Sequence, residues 1–179
     1  MLQKFIISLC LLVAPYAQAD VLAGNTTYRV CFTPGENCTD QIIDIIDKAK
    51  SEILVQGYSF TSSPIAQALT KAKNRGISVR VILDKSQKSE RYTIITYLIN
   101  QQIPVWIDFK PAIAHNKILI VDGHIVQTGS FNYTKAAEKR NAENVLIIDN
   151  VQLAKQYRDN WERRLQQSIP AQDYIRKSK

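Results

Sequence analysis

Between His115 and Asn132 the chain reads HNKILIVDGHIVQTGSFN, which sets an imidazole, an amine, a carboxylate, a hydroxyl and an amide in the order H-x-K-x4-D-x6-G-S-x-N. Those groups suit attack on a phosphate diester. The diester repels anionic nucleophiles, so the attacking group should be uncharged near neutral pH. Imidazole, with an ordinary pKa of about 6.5, meets that need. Lys117 brings a compact charge with three donors, Asn132 an amide donor, and Ser130 a hydroxyl that can bond phosphate or a neighbour. Together they make an anion site for charge that builds up in the transition state.

The elements carrying these residues are legible from the same letters. KILIV is apolar and β-branched, so residues 115–121 read as a buried strand with His115 and Lys117 on one face. Asp122 points away from that face and reads as structural. Asp122-Gly123 signals a two-residue hairpin turn, returning the chain through HIVQTG so that Gly129, Ser130 and Asn132 come beside the first strand.

Six fixed positions in eighteen residues, His115, Lys117, Asp122, Gly129, Ser130 and Asn132, resemble the motif of the phospholipase D superfamily. The usual enzymes of that superfamily carry the motif twice in one chain. Here it occurs once, and the other histidine, His124, lacks a lysine two positions on. A single copy resembles the short bacterial endonuclease branch, encoded on plasmids, in which two subunits each contribute a histidine. That resemblance implies a homodimer with a shared site. It extends to GYSFTSSPI at 57–65, to AQALTKAKNRGISVRVILDKSQ, and to Asn141-Ala142-Glu143-Asn144. By the same analogy Glu143 would hydrogen-bond the catalytic histidine and orient it.

Residues 1–19 show a basic Lys4, an apolar run from Phe5 to Val13 and the small-x-small end Ala17-Gln18-Ala19. This reads as a secretory signal peptide, with a membrane anchor as the alternative; the run is about half the length a spanning helix needs. Residues 20–179 then form one domain of ordinary size. The net charge of +7 falls to +6 without the leader, since Lys4 is the charge lost. A basic surface favours polyanions, though alone it says little. Cys31 and Cys38 remain as an even pair around Pro34-Gly35 and are expected to form a disulfide in an oxidising compartment, the alternative being two free thiols.

Apolar patterning alternates between strand and helix periods along the chain. Strands are expected at TYRVCF, EILVQGYS, ISVRVILD, PVWID and ENVLIID. Helices are expected from an N-cap at Thr39 or Asp40, from Pro64 to Gly76, near 89–101, and from Asn150 with Leu153, Tyr157, Trp161 and Leu165 on one face. The fold class is therefore α/β, a mixed, largely parallel sheet with helices on both faces, as the phospholipase D resemblance also implies.

Tyr58, Ser59 and Phe60 end a strand, where ligands of open sheets commonly sit, although an aromatic there is as readily core. Arg75, Arg80, Lys85, Lys88 and Arg91 could line a phosphate track or form a solvated face. No His/Cys cluster has zinc spacing and no Asp-x-Asp or His-x-x-x-His pair is present, so neither metal nor other cofactor is expected. The function expected is a secreted or periplasmic, metal-independent endonuclease acting on DNA, with RNA a further candidate. A covalent phosphohistidine on one His115 would form while the partner subunit's His115 protonates the leaving oxygen. A lipid phosphodiesterase and a catalytically silent DNA-binding protein of a conjugation or uptake system are the alternatives.

Overall fold

The computed structural model describes residues 21–22, 24–88 and 94–176, so the expected leader at 1–19 and Arg91 lie outside the described residues. Successive apolar residues in the strands are buried on both faces of a sheet, which is why KILIV does not alternate with polar positions. The strands are β1 (Thr27–Thr33), β2 (Glu52–Gly57), β3 (Ser78–Asp84), β4 (Val105–Asp108), β5 (Lys117–Val121), β6 (Ile125–Gly129), β7 (Glu143–Asp149) and β8 (Ile169–Pro170). Their spatial order is β1-β7-β6-β5-β2-β3-β4-β8. On one face Ile53, Val55, Leu119 and Val121 meet helices α1 (Cys38–Asp47), α2 (Ser63–Asn74), α3 (Ile94–Asn100) and Ala137 of α4 (Lys135–Lys139). On the other, Leu54, Ile82, Ile118, Ile120 and Val126 meet α5 (Val151–Gln166). A last helix, α6 (Ala171–Arg176), follows β8.

The sheet is mixed and flanked by helices as expected, but it is not largely parallel. Only β2–β3 and β3–β4 pair parallel; the remaining five pairings are antiparallel. Parallel neighbours need a long crossover, which α2 and α3 supply. The run β5–β6–β7 is antiparallel because its connections are short: a tight turn joins β5 to β6, and a helix of five residues lies between β6 and β7, while α5 carries the chain from β7 across to β8 at the far edge.

Local signals place the helices. Ser62 caps α2 by accepting from Ile65 N, and Pro64 sits in its first turn, where a missing N–H costs nothing. Asn150 Oδ1 accepts from Leu153 N at 2.8 Å and starts α5. Its Leu153, Tyr157, Trp161 and Leu165 stripe packs on the second face, with Trp161 Nε1 donating to Val55 O at 3.0 Å. Helix α1 begins at Cys38, earlier than the Thr39 or Asp40 cap expected. The reason is a distant partner: Glu138 Oε2 accepts from Thr39 N at 2.9 Å and Thr39 Oγ1 at 2.8 Å, doing a capping side chain's work. Cys31 and Cys38 form the expected disulfide, Cα–Cα 5.6 Å, tying β1 to the start of α1.

Candidate active site

Strand register gathers the motif at one end of the sheet. Gly57 lies level with Lys117, and Gly129 with Val145. Leu119 pairs with Gln127, so two residues further along the same register Lys117 comes level with Gly129. The ends of β2 and β6 thus meet the beginnings of β5 and β7.

His115 is exposed and stands just before β5, which starts at Lys117 rather than at the histidine. Lys117 is buried, 4% exposed. Its Nζ lies 2.9 Å from His115 Nδ1 and donates to His115 O at 2.7 Å. An ammonium has only donors, so Nδ1 is the accepting atom of this contact. Burial pulls the Lys117 ammonium below the ordinary lysine value, and the nearby Glu143 charge acts the other way. Tyr58 completes the group, its ring 4.4 Å from the imidazole and 5.1 Å from Lys117 Nζ.

Of the three strand-end residues named from sequence, Tyr58 is at the site and Ser59 is half-buried beside it. Phe60 is a correction. It is fully buried and packs edge-on against Tyr133, centroids 5.4 Å apart, because its backbone bridges to Tyr133 and turns the ring into the core.

Ser130 and Glu143 form a second cluster. Ser130 Oγ donates to Glu143 Oε2 at 2.6 Å and accepts from Asn144 N at 3.1 Å, while Asn141 Nδ2 donates to Glu143 Oε1 at 2.9 Å. Both carboxylate oxygens are therefore engaged within the chain. The expected hydrogen bond from His115 to Glu143 is absent among the described residues, and Lys117 takes the place at Nδ1. Asn132 is half-buried, and its Oδ1 has no hydrogen-bond partner among the described residues. Alternate residues Phe131 and Tyr133 are fully buried, which leaves Ser130 and Asn132 on the open side. The sequence reading missed Tyr133, whose hydroxyl donates to the buried Gln127 Oε1 at 2.7 Å and whose carbonyl accepts from Thr61 N and Ser62 N. Desolvation pushes its phenol up, so it acts as a neutral strut.

Gly129 and Asp122 are both engaged within the fold. Gly129 has φ +139°, and an added Cβ would sit 2.2 Å from Asn144 O. Asp122 accepts from Lys50 N, Ser51 N, Ser51 Oγ and Glu52 N at 2.8 to 2.9 Å. Burial raises the Asp122 carboxyl, and these bonds outweigh it, holding the group below the usual carboxylate range. The hairpin uses Asp122 and Gly123 in left-handed conformations, φ 52° and 71°. Its loop is three residues rather than two, since Val121 pairs with Ile125. His124 is the extra residue, held by Asn150 N on its carbonyl and by Asp149 on its Nδ1.

Three of the basic residues proposed as a phosphate track are used inside the fold, while the Lys88 side chain and Arg91 lie outside the described residues. Arg75 donates to Ile46 O, Arg80 to Glu52 and Glu162 while lying over Trp161, and Lys85 to Pro111 O. Among the described residues no group of three or more His, Cys, Asp or Glu is placed to hold a metal ion.

Residues 42–165 match the family model described as cardiolipin synthase, PLD-like domain. The chain belongs to the phospholipase D-like family. A family relative, the phospholipase D of Rickettsia conorii, is 47% identical over 131 residues, covering 73% of this chain and 66% of that relative. The chain thus spans just under two thirds of that protein's length. Among solved phospholipase D-like structures, the family member Nuc from Salmonella typhimurium superposes with a TM-score of 0.77 at 36% identity, covering 81% of this chain and 97% of that one. NucT from Helicobacter pylori gives 0.76 at 25% identity, covering 81% and 99%.

Proposed function

We propose that this chain is a secreted or periplasmic phosphodiesterase that cuts DNA, and RNA as a further substrate, without divalent metal, at a site shared by two subunits. The observation that carries this reading is the pairing of exposed His115 with buried Lys117 at the sheet end, in a chain with one copy of the motif. One histidine cannot both attack phosphorus and protonate the leaving oxygen. A second copy supplies the other.

The surface supports such pairing. On β1, Tyr28, Val30 and Phe32 are 71%, 40% and 57% exposed, and register sets them beside Ile148, Leu146 and Asn144 of β7. The stripe leads to Asn144, which bonds Ser130. An exposed apolar patch continuous with the site suits a second copy of this chain.

In the working dimer His115 Nε2 forms a bond to phosphorus as the bond to the leaving oxygen breaks, and the partner's imidazolium protonates that oxygen. The partner's imidazole then takes a proton from water, whose oxygen attacks phosphorus and releases His115. Nucleophilic Nε2 requires the proton on Nδ1 and therefore an acceptor there. Lys117 cannot serve as one; as substrate binds, its Nζ turns from Nδ1 to the phosphate, and we assign the acceptor role to Glu143, freed from Ser130 or Asn141. Lys117 and Asn132 hold the non-bridging oxygens, and Ser130 positions them.

A lipid phosphodiesterase is the second reading. The loop before the histidine exposes Ile113 at 55%, with Ala112 also exposed, an apolar lip beside the site. The relative named phospholipase D points the same way. The test offers the purified protein, in excess chelator, supercoiled plasmid in one arm and phospholipid vesicles in the other, with His115→Ala alongside. Plasmid nicking by wild type alone is the expected result. Vesicle hydrolysis without nicking selects the lipid reading, and plasmid binding without cleavage of either substrate selects a silent binding protein.

A further inference from the structure

The backbone of His115 lies outside the strand ladder, so something other than sheet pairing must fix the imidazole. The segment that ends β3 does so from two sides. Asp84 is 2% exposed. Its Oδ2 accepts from Ala114 N at 2.6 Å, one residue before His115, and its Oδ1 accepts from Ser86 N at 2.8 Å. Lys85 Nζ donates to Pro111 O at 3.0 Å, a second tether on the same loop. Gln87, also buried at 4%, accepts from Phe60 N at 3.0 Å. That bond holds the stretch whose Tyr58 ring rests on the imidazole. Residues 84 to 87 therefore grip both stretches that flank His115.

We infer that Asp84 is the positioning residue of His115. It touches no reacting atom. A carboxylate serves there because two backbone donors approach from different elements, and each oxygen takes one. An amide would accept one and turn its own donors toward the other. The loop would then lose its fixed point next to the nucleophile, and a misplacement of about 1 Å is enough to slow a positioned reaction by roughly a hundredfold. This inference rests on the reading of His115 as nucleophile.

The test compares full-length wild type, Asp84→Asn and Asp84→Ala, with Asp44→Asn as a control that disturbs a carboxylate paired with Arg29 and Lys48 outside the motif. Hydrolysis of bis(p-nitrophenyl) phosphate gives kcat and KM per folded molecule. The His115 ring Cε1–H resonance, assigned with His115→Ala among only two histidines, reports its place beside Tyr58. In Asp84→Asn the resonance moves, kcat falls by about a hundredfold and KM stays within about twofold, as expected for lost alignment rather than lost binding. Asp84→Ala falls further, and Asp44→Asn leaves both readouts at wild-type values. An unmoved resonance overturns the inference, as does a moved resonance with kcat near wild type. If wild type leaves the diester intact, the phosphodiesterase reading fails, and the resonance alone decides the positioning.

Discussion

Lys117 Nζ stands 2.9 Å from His115 Nδ1, so a buried ammonium and an exposed imidazole share one hydrogen bond. The buried partner is held in a form that folding disfavours, which exchanges stability for a charge at the site. Its removal should separate the two properties.

Lys117→Met is therefore expected to be at least as stable as wild type while hydrolysis falls by about a hundredfold to a thousandfold. The sign with pH follows from the lowered lysine value. Folding disfavours the protonated form, so the destabilisation is full below the folded value and is relieved as pH rises through it toward the ordinary one. Thermal melts of both proteins between neutral and alkaline pH should converge. A variant clearly less stable than wild type at neutral pH would show that the ammonium is an anchor instead.

Asp122 runs in the opposite sense. Its carboxyl is held below the usual range, so its contribution is fully present above the ordinary aspartate value and is lost as pH falls through the folded one. Asp122→Asn should lose about 2 kcal/mol at neutral pH, and the gap to wild type should close in acid. Urea titrations at neutral pH and in strong acid decide this; an equal gap at both would remove the charged form from the account.

Gly129→Ala places a Cβ against the Asn144 backbone at a φ that side chains rarely adopt. The expected loss is about 2 to 4 kcal/mol, from backbone strain and overpacking together. A soluble variant melting within a degree or two of wild type would mean that β7 can retreat.

Phe32→Glu puts a charge into the exposed apolar stripe of β1. Sedimentation should find wild type dimeric and the variant monomeric, with diester hydrolysis lost although the fold persists. A monomeric variant that retains full turnover would contradict a shared site.

The legible parts of the molecule were those governed by local chemistry. Pro64, Asn150 and the stripe from Leu153 to Leu165 announced their helices, and the H-x-K-x4-D-x6-G-S-x-N spacing announced the site. What escaped was settled by partners distant in sequence. Glu138 completes the first turn of α1 from about a hundred residues away. Phe60 faces the core because of Tyr133. Glu143 turns to Ser130 and Asn141 instead of the histidine, a choice among neighbours that spacing cannot express.

The edge position of β1 also bears on how the chain is made. Its ladder partner is β7, with Thr27 opposite Asp149 at one end and Thr33 opposite Glu143 at the other. β1 therefore waits for a strand more than a hundred residues further on, and contacts so distant in sequence form slowly. Until β7 emerges, the backbone groups and the apolar side chains of residues 27–33 stay open to chance pairing. An early crosslink between Cys31 and Cys38 would shelter this segment, fastening it to α1 before its proper neighbour exists.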